Sequence, residues 1–398
     1  MNDAFRQIRD FFVSLKLTVV LLVFGLVLVF AGTLAQVNLG IWAIQEKFFR
    51  SFIALWQVGP LTIPLPGGYL VGGLLLINLL SAHLYRFKFT WGKSGVQLTH
   101  IGLILLLVGE LLSGLWQEDY SMRLVQNETK NFSESYRDNE LALVDTTDPK
   151  FDEIVVIPEP NLIPGQTIQH PKLPFRIVTK TYYPNSALSS SGPADANHPA
   201  PAAGGESGSP ATKGVGTRIT AAPQPITYKQ DERNIPTAFV ELIGAEGSLG
   251  TWLVSTHPAM TPQAFEHAGR KWTIALRSTR AYKPFALTLL KFSHDRYAGT
   301  EIPKNFSSRI RLTTPDGTDN REVLIYMNNP LRYAGLTFYQ ASFDPNDDKV
   351  TILQVVKNPS WLIPYVACGL MTFGLTVQFC IHLFAFVGKR RNARPSHP

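Results

Sequence analysis

Three histidines lie inside long apolar segments of the sequence: His83, His100 and His382. An imidazole in hydrocarbon is costly unless its nitrogens find a hydrogen-bond acceptor or a metal ion. No Cys, Asp or Glu stands directly next to these histidines, and imidazole is a common axial ligand of haem iron. The pattern therefore makes haem b, transported or transiently bound, the candidate cofactor.

Each of the three histidines also has an ordinary structural interpretation. His83 is three positions before Arg86 and could reach the membrane surface, and His382 near the end of its segment could pack or lie at the interface. His100 comes seven residues after Lys93, which places it roughly 10 Å into a membrane helix. For His100 the residues alone leave packing and iron ligation equally open.

Several other chemistries lack the residues that they need. Cys368 and Cys380 are the only cysteines and both lie in an apolar segment, so thiol chemistry must come from another protein. No P-loop, dinucleotide-binding glycine pattern, G-x-S-x-G or H-E-x-x-H occurs. The net charge of +7 comes with basic clusters at the ends of apolar segments, which indicates membrane orientation and not nucleic-acid binding.

Four apolar segments are long enough to cross a bilayer as helices. They cover Leu15–Gln36, Gly68–Tyr85, Val96–Trp116 and Trp361–Val387. Basic residues flank the start of the first segment, the loop between the second and third, and the end of the fourth. The positive-inside rule therefore predicts a multi-pass protein of the cytoplasmic (inner) membrane, with both termini in the cytoplasm and Gln117–Ser360 outside.

Two segments between these spans have distinctive patterns. Near 41–57, apolar residues recur at helical spacing between polar ones, which predicts an amphipathic helix lying along the outer membrane surface or packed on the outer domain. Residues 184–216 are rich in Ser, Gly, Ala and Pro, which predicts a disordered loop.

The predicted architecture is thus an α-helical membrane protein with a large β-rich extracytoplasmic domain. Short β-branched and aromatic runs separated by turn residues fill residues 117–360, which favours an antiparallel sandwich or an open barrel. Residues 1–116 would form the membrane region with three spans, and residues 361–398 the fourth span with a basic cytoplasmic tail.

An ordered series of motifs resembles the ResB (CcsB) family of cytochrome c biogenesis proteins, which belongs to system II. The motifs are Ser14–Leu17, Gly32–Gln36, Asn78–Leu80, Leu98–Gly102 with Gly109, Tyr297–Pro303 with Phe306–Ser308, Asn329–Gly335 with Phe338–Gln340, and Lys357–Ser360.

The resemblance implies a membrane subunit that handles haem together with a ResC/CcsA-like partner and presents it to the C-x-x-C-H motif of an apocytochrome c. It implies that His100 is an axial haem ligand, that the second ligand comes from the partner, and that a thioredoxin-like protein could supply reductant. The tryptophan-rich motif of the partner is absent here. We therefore expect a non-catalytic or co-catalytic subunit of cytochrome c haem lyase.

Two other functions are compatible with the sequence. A stand-alone b-type electron carrier could use His100 and His382, at equal depth, as paired axial ligands. Alternatively, the chain could be a membrane-anchored assembly factor that binds proteins and no haem.

Overall fold

A computed structural model describes residues 3–87, 90–190, 209–227, 233–296, 299, 303–344 and 347–392. Five α-helices occur in this part of the chain. They are α1 (Asp3–Phe12), α2 (Leu15–Ile44), α3 (Gly68–Tyr85), α4 (Ser94–Trp116) and α5 (Ile363–Asn392). Helix α2 is interrupted at Gly40, whose φ of 76° is accessible to glycine at little cost.

The helices confirm the four predicted spans. Helices α2, α3, α4 and α5 are each long and apolar enough to cross a membrane, and most of their apolar side chains face outward. Helix α1 is an addition that the sequence reading did not foresee. It is short and amphipathic and presents Phe5, Ile8 and Phe11 on its surface.

Helices α4 and α5 approach each other through glycines. Gly95, Gly102 and Gly109 recur every seven residues along the side of α4 that contacts α5, and Gly374 of α5 faces Gly95. A Cβ atom at Gly95 would lie 2.4 Å from the Gly374 carbonyl oxygen. Small residues let helix backbones come this close, which favours association inside a membrane.

The predicted helix near 41–57 is correct only in its first half. Helix α2 and a π-helical turn, Gln45–Phe49, carry the chain to Phe49. The next residues form strand β1 (Ile53–Val58), which pairs with β2 (Leu61–Pro66) in an antiparallel hairpin. Gly59, with a φ of 60°, occupies the first position of the two-residue turn, where a hairpin favours glycine. The prediction failed in its second half because the helical spacing of apolar residues continues by chance beyond the end of the helix.

Sixteen further strands form the domain between α4 and α5, which we call the β-domain (residues 117–360). They are β3 (Glu118–Val125), β4 (Thr129–Asp145), β5 (Glu153–Pro158), β6 (Thr167–Ile168), β7 (Arg176–Tyr183), β8 (Ser186–Ser190), β9 (Ile219–Pro223), β10 (Thr237–Gly244), β11 (Gly247–Ser255), β12 (Gln263–His267), β13 (Arg270–Arg296), β14 (Pro303–Thr313), β15 (Asn320–Tyr326), β16 (Leu331–Tyr333), β17 (Leu336–Asp344) and β18 (Asp347–Lys357).

The β-domain combines the two predicted architectures. Its main sheet follows the order β15-β14-β13-β4-β3-β18-β17-β16 and curls into a nearly closed antiparallel barrel. The second half of β4 and the first half of β13 extend beyond the barrel, where β5 pairs with β4 and β12 pairs with β13. The sheet β11-β10-β7-β6 packs on this extension as a sandwich. Leu141, Ile177 and Trp272 are buried in the sandwich, whereas Leu287, Phe338 and Leu353 are buried in the barrel. The long strands β4 and β13 are shared by both parts.

The predicted disordered loop at 184–216 is partly wrong. Its first residues form β8, which pairs with β9, and residues from Ser209 pack against β11, with Gly216 close to Leu253. Residues 191–208 lie outside the described residues. Short strands of mostly small residues can pair through their backbones even without a large apolar surface, which the composition alone did not indicate.

One inward position of the barrel carries a lysine. Residues 283, 285, 287 and 289 of β13 are buried in alternation, as expected for the inner face of a strand. The Lys283 ammonium donates hydrogen bonds to Ser133 Oγ at 2.6 Å and to the Ala281 carbonyl oxygen at 3.1 Å. Burial without a carboxylate partner lowers the pKa of Lys283 to about 8.

Lys283 should make the stability of the protein depend on pH in the alkaline range. Because its pKa is lowered in the fold, the unfolded chain binds more protons between pH 8 and about 10.4, so stability rises with pH over that window. We expect the free energy of unfolding to increase by on the order of 2 kcal/mol from pH 8 to 10, relative to Lys283→Gln. Denaturant titrations of the full chain in detergent measure this difference. Lys291→Gln, at an exposed lysine of the same strand, should leave the wild-type slope unchanged.

Candidate functional site

His100 lies on the second turn of α4 and is half-buried. Its Nδ1 is 2.7 Å from the Val96 carbonyl oxygen one turn earlier. A carbonyl oxygen can only accept, so Nδ1 carries the proton and donates it. Nε2 is consequently the nitrogen with the lone pair. Histidines that bind metals are commonly oriented in this way, by a hydrogen bond from the other ring nitrogen to a backbone carbonyl.

Phe87, just after α3, brings His83 and His100 into one aromatic cluster. The Phe87 ring centroid lies 4.9 Å from that of His100 and 5.7 Å from that of His83. His83 Nδ1 is buried and has no hydrogen-bond partner, whereas the side chain as a whole is only partly buried, so its reach to the membrane surface stays a prediction. A buried nitrogen without a partner is costly and indicates a missing ligand or proton acceptor.

The imidazole of His100 faces away from α5. Gly102, which contacts Met371 and Ala367 of α5, is two residues further along and thus roughly 160° around the helix. The structure therefore associates His100 with the loop after α3 and not with the fourth span.

His382 has a different role in the structure. Val96 N donates to Gln378 Oε1 at 3.2 Å, which fixes the orientation of that amide. Gln378 Nε2 then donates to the Gly92 carbonyl oxygen and, at 2.9 Å, to His382 Nε2. The lone pair of His382 Nε2 is thereby engaged. His382 supports a helix-packing network, and its pairing with His100 as two axial ligands has no geometric support.

The surroundings of His100 suit haem better than a free metal ion. A porphyrin supplies four nitrogens to its iron, so the protein needs to add only an axial imidazole. His100 Nε2 offers such a lone pair. His83, whose Nδ1 has no hydrogen-bond partner, is a second candidate ligand, and its ring contacts the same Phe87 ring. The donor set therefore suffices for the iron of haem b, which needs only an axial imidazole from the protein.

Sequence reasoning missed Phe87 and Gln378. Phe87 follows His83 by four residues, a spacing that brings side chains together at the end of a helix, so its contact was open to prediction. Gln378 carried no signal, because nothing in the sequence indicates which helix a polar residue will face. Glu110, the other ionisable group of α4, is exposed on the surface of that helix.

Comparison with known proteins locates a family match in the β-domain. Residues 250–352, from β11 to β18, match the model of the ResB-like family. Protein NrfI of Wolinella succinogenes is 37% identical over 92 residues, which is 23% of this chain and 10% of that protein. The spans and His100 lie outside the residues that match the family model. Over residues 250–352, which include β11 and β12 of the sandwich as well as strands of the barrel, this chain is thus similar to ResB-like proteins, as its motifs indicated.

Proposed function

We propose that this chain is a membrane subunit in cytochrome c biogenesis, which handles haem and presents it with a ResC/CcsA-like partner for attachment to apocytochrome c. The match of residues 250–352 to the ResB-like family is the observation that carries the proposal. The four spans and the imidazole of His100, oriented by the Val96 carbonyl, are consistent with it.

The proposed orientation places the β-domain outside the cytoplasmic membrane. Asn78 Nδ2 donates to the carbonyl oxygens of Phe12 and Ser14, so the start of α2 lies beside the end of α3. Gln378 similarly joins the start of α4 to the latter part of α5. The basic flanks are therefore together at the end of the bundle opposite the β-domain, and the positive-inside rule makes that end cytoplasmic.

Within this function, His100 Nε2 would hold the haem iron and the Val96 carbonyl would keep the ring in place. Haem supplies the vinyl groups to which apocytochrome thiols attach. Phe87 offers an aromatic surface to an apolar ring. The second axial ligand would come from the partner, with His83 as the candidate within this chain.

The β-domain would act by positioning. Both cysteines lie in α5, so this chain offers no thiol in the β-domain to reduce or to attack. Holding partner and apocytochrome in a fixed geometry can by itself contribute strongly to rate. We therefore propose a non-catalytic or co-catalytic subunit that depends on an external thiol reductant.

Reconstitution tests this function. The chain is produced with a ResC/CcsA-like partner and a reporter apocytochrome in a host that lacks its own attachment system. We expect covalently haem-stained reporter only when both membrane proteins are present. Equal staining without this chain would contradict the proposal. Staining that needs the chain but survives loss of every membrane histidine would favour an assembly factor without haem.

A further inference from the structure

A half-open cavity of about 320 Å³ lies where the β-domain meets the ends of α4 and α5. Gln117 and Asn358 connect the two helices there, since Asn358 Nδ2 donates to Ser113 Oγ at 3.1 Å and to Gln117 Oε1 at 3.2 Å. Strands β16, β17 and β18 form the other wall, and Trp361, Pro364 and Tyr365 form the membrane side. The volume is at the lower end for ligand pockets, which admits a headgroup but not a porphyrin.

Arg332 gives this cavity its charge. Among the residues that line it, Arg332 alone carries a formal charge. Its guanidinium carbon lies 4.2 Å from the Trp361 ring centroid, and its Nη1 donates a long hydrogen bond of 3.4 Å to Thr337 Oγ1. No carboxylate within the described residues pairs with it. The stack on Trp361 therefore holds a guanidinium whose other N–H donors remain available.

The membrane side of the cavity continues onto apolar helix surface. The rings of Trp361 and Tyr365 meet edge to face at 6.1 Å, and both are exposed at the start of α5. Trp and Tyr are enriched at the headgroup level of membranes. Exposed Leu375 and Phe379 follow on the same face of α5, where acyl chains would lie. The cavity thus has a cation, then aromatic side chains, then an apolar helix surface. A phospholipid has its phosphate, its interfacial region and its acyl chains in the same order.

We propose that Arg332 and Trp361 form a phospholipid site, in which the guanidinium binds the headgroup phosphate and the acyl chains lie along α5. A guanidinium offers parallel donors that match a phosphate, and charge-assisted bonds of this kind are strong. The bound lipid would fix the height of the β-domain above the membrane. This site is independent of His100 and of haem.

Native mass spectrometry of the full chain in detergent, titrated with phosphatidylglycerol, tests the site. We expect Arg332→Gln to weaken lipid binding at least about tenfold, and Arg332→Lys to weaken it less, because lysine keeps the charge but lacks the planar fork. Arg321→Gln is the matched control. Arg321 also lies over a ring, Tyr333, but pairs with Asp319 away from the cavity, so its loss should not change binding.

Two further arms identify the ligand. Inorganic phosphate should compete poorly, since it lacks acyl chains, and effective competition would overturn the lipid assignment. Unchanged phosphatidylglycerol affinity in both Arg332 variants would overturn the site itself, provided that thermal unfolding shows them folded. If the Arg332 variants keep the lipid but lose haem from the assembled complex, Arg332 binds a propionate carboxylate of haem and not a phosphate. The proposal would then be wrong.

Discussion

His100→Ala is expected to lower the haem content of the chain copurified with its partner at least about tenfold. Loss of an outer hydrogen-bond partner of a metal ligand already costs 10–100-fold in affinity, so loss of the ligand itself should cost no less. Attachment of haem to the reporter apocytochrome should fall in parallel. Pyridine haemochrome assays and the absorption spectrum of the membrane complex measure the two effects.

A rescue experiment distinguishes ligation from packing at His100. His100→Gly leaves space for free imidazole, which should restore the haem spectrum if Nε2 is the ligand. His382→Ala is the matched control, because that imidazole accepts a hydrogen bond from Gln378, so its loss should leave haem content near the wild-type level. Wild-type haem content in His100→Gly without added imidazole would show that the axial ligands come from other residues.

A His83 variant tests whether the second axial ligand comes from the partner or from this chain. His83 Nδ1 has no hydrogen-bond partner and the His83 ring contacts Phe87, so this residue could supply the second imidazole to the haem. If the partner supplies the second ligand, His83→Ala should alter haem content far less than His100→Ala. Equal losses in both variants would assign the second ligand to this chain.

The spans were predictable because their physical signal is local and strong. About 20 apolar residues in a row have few alternatives to a membrane helix, and the helices α3 and α4 begin within two residues of the predicted positions. The β1–β2 hairpin was missed for the opposite reason. Residues 53–58 fit both a helical and a strand pattern. They form a strand because the turn at Gly59 brings β2 into pairing with them.

The candidate residue of the site could be named from the sequence, but its neighbours could not. Helix rise gave His100 and His382 the same depth, so the preference for His100 came from the family resemblance. Which face of α4 meets α5 depends on close packing at Gly95 and Gly102, a tertiary property. The equal depth of His100 and His382 suggested a pair, whereas the packing directs them to different neighbours.

Gly95→Ala should destabilise the pair of helices α4 and α5, although alanine is the better helix former. The added methyl would lie 2.4 Å from the Gly374 carbonyl oxygen and 2.5 Å from Gln378 N, both backbone atoms that cannot rotate away. The helices must separate, which we expect to cost about 1–3 kcal/mol. Separation would also stretch the bonds from Gln378 to Val96 N and to the Gly92 carbonyl oxygen, next to the turn that carries His100.

Gly73→Ala makes the same chemical change where nothing lies within 4 Å of the new methyl. It should stabilise α3 by up to about 1 kcal/mol through helix propensity. The two variants are thus predicted to shift the thermal unfolding temperature of the full chain in one detergent in opposite directions. Equal shifts would mean that α4 and α5 are not in backbone contact. The orientation of His100 away from α5 would then lose its main support, because it is inferred from the contacts that Gly102 makes with α5.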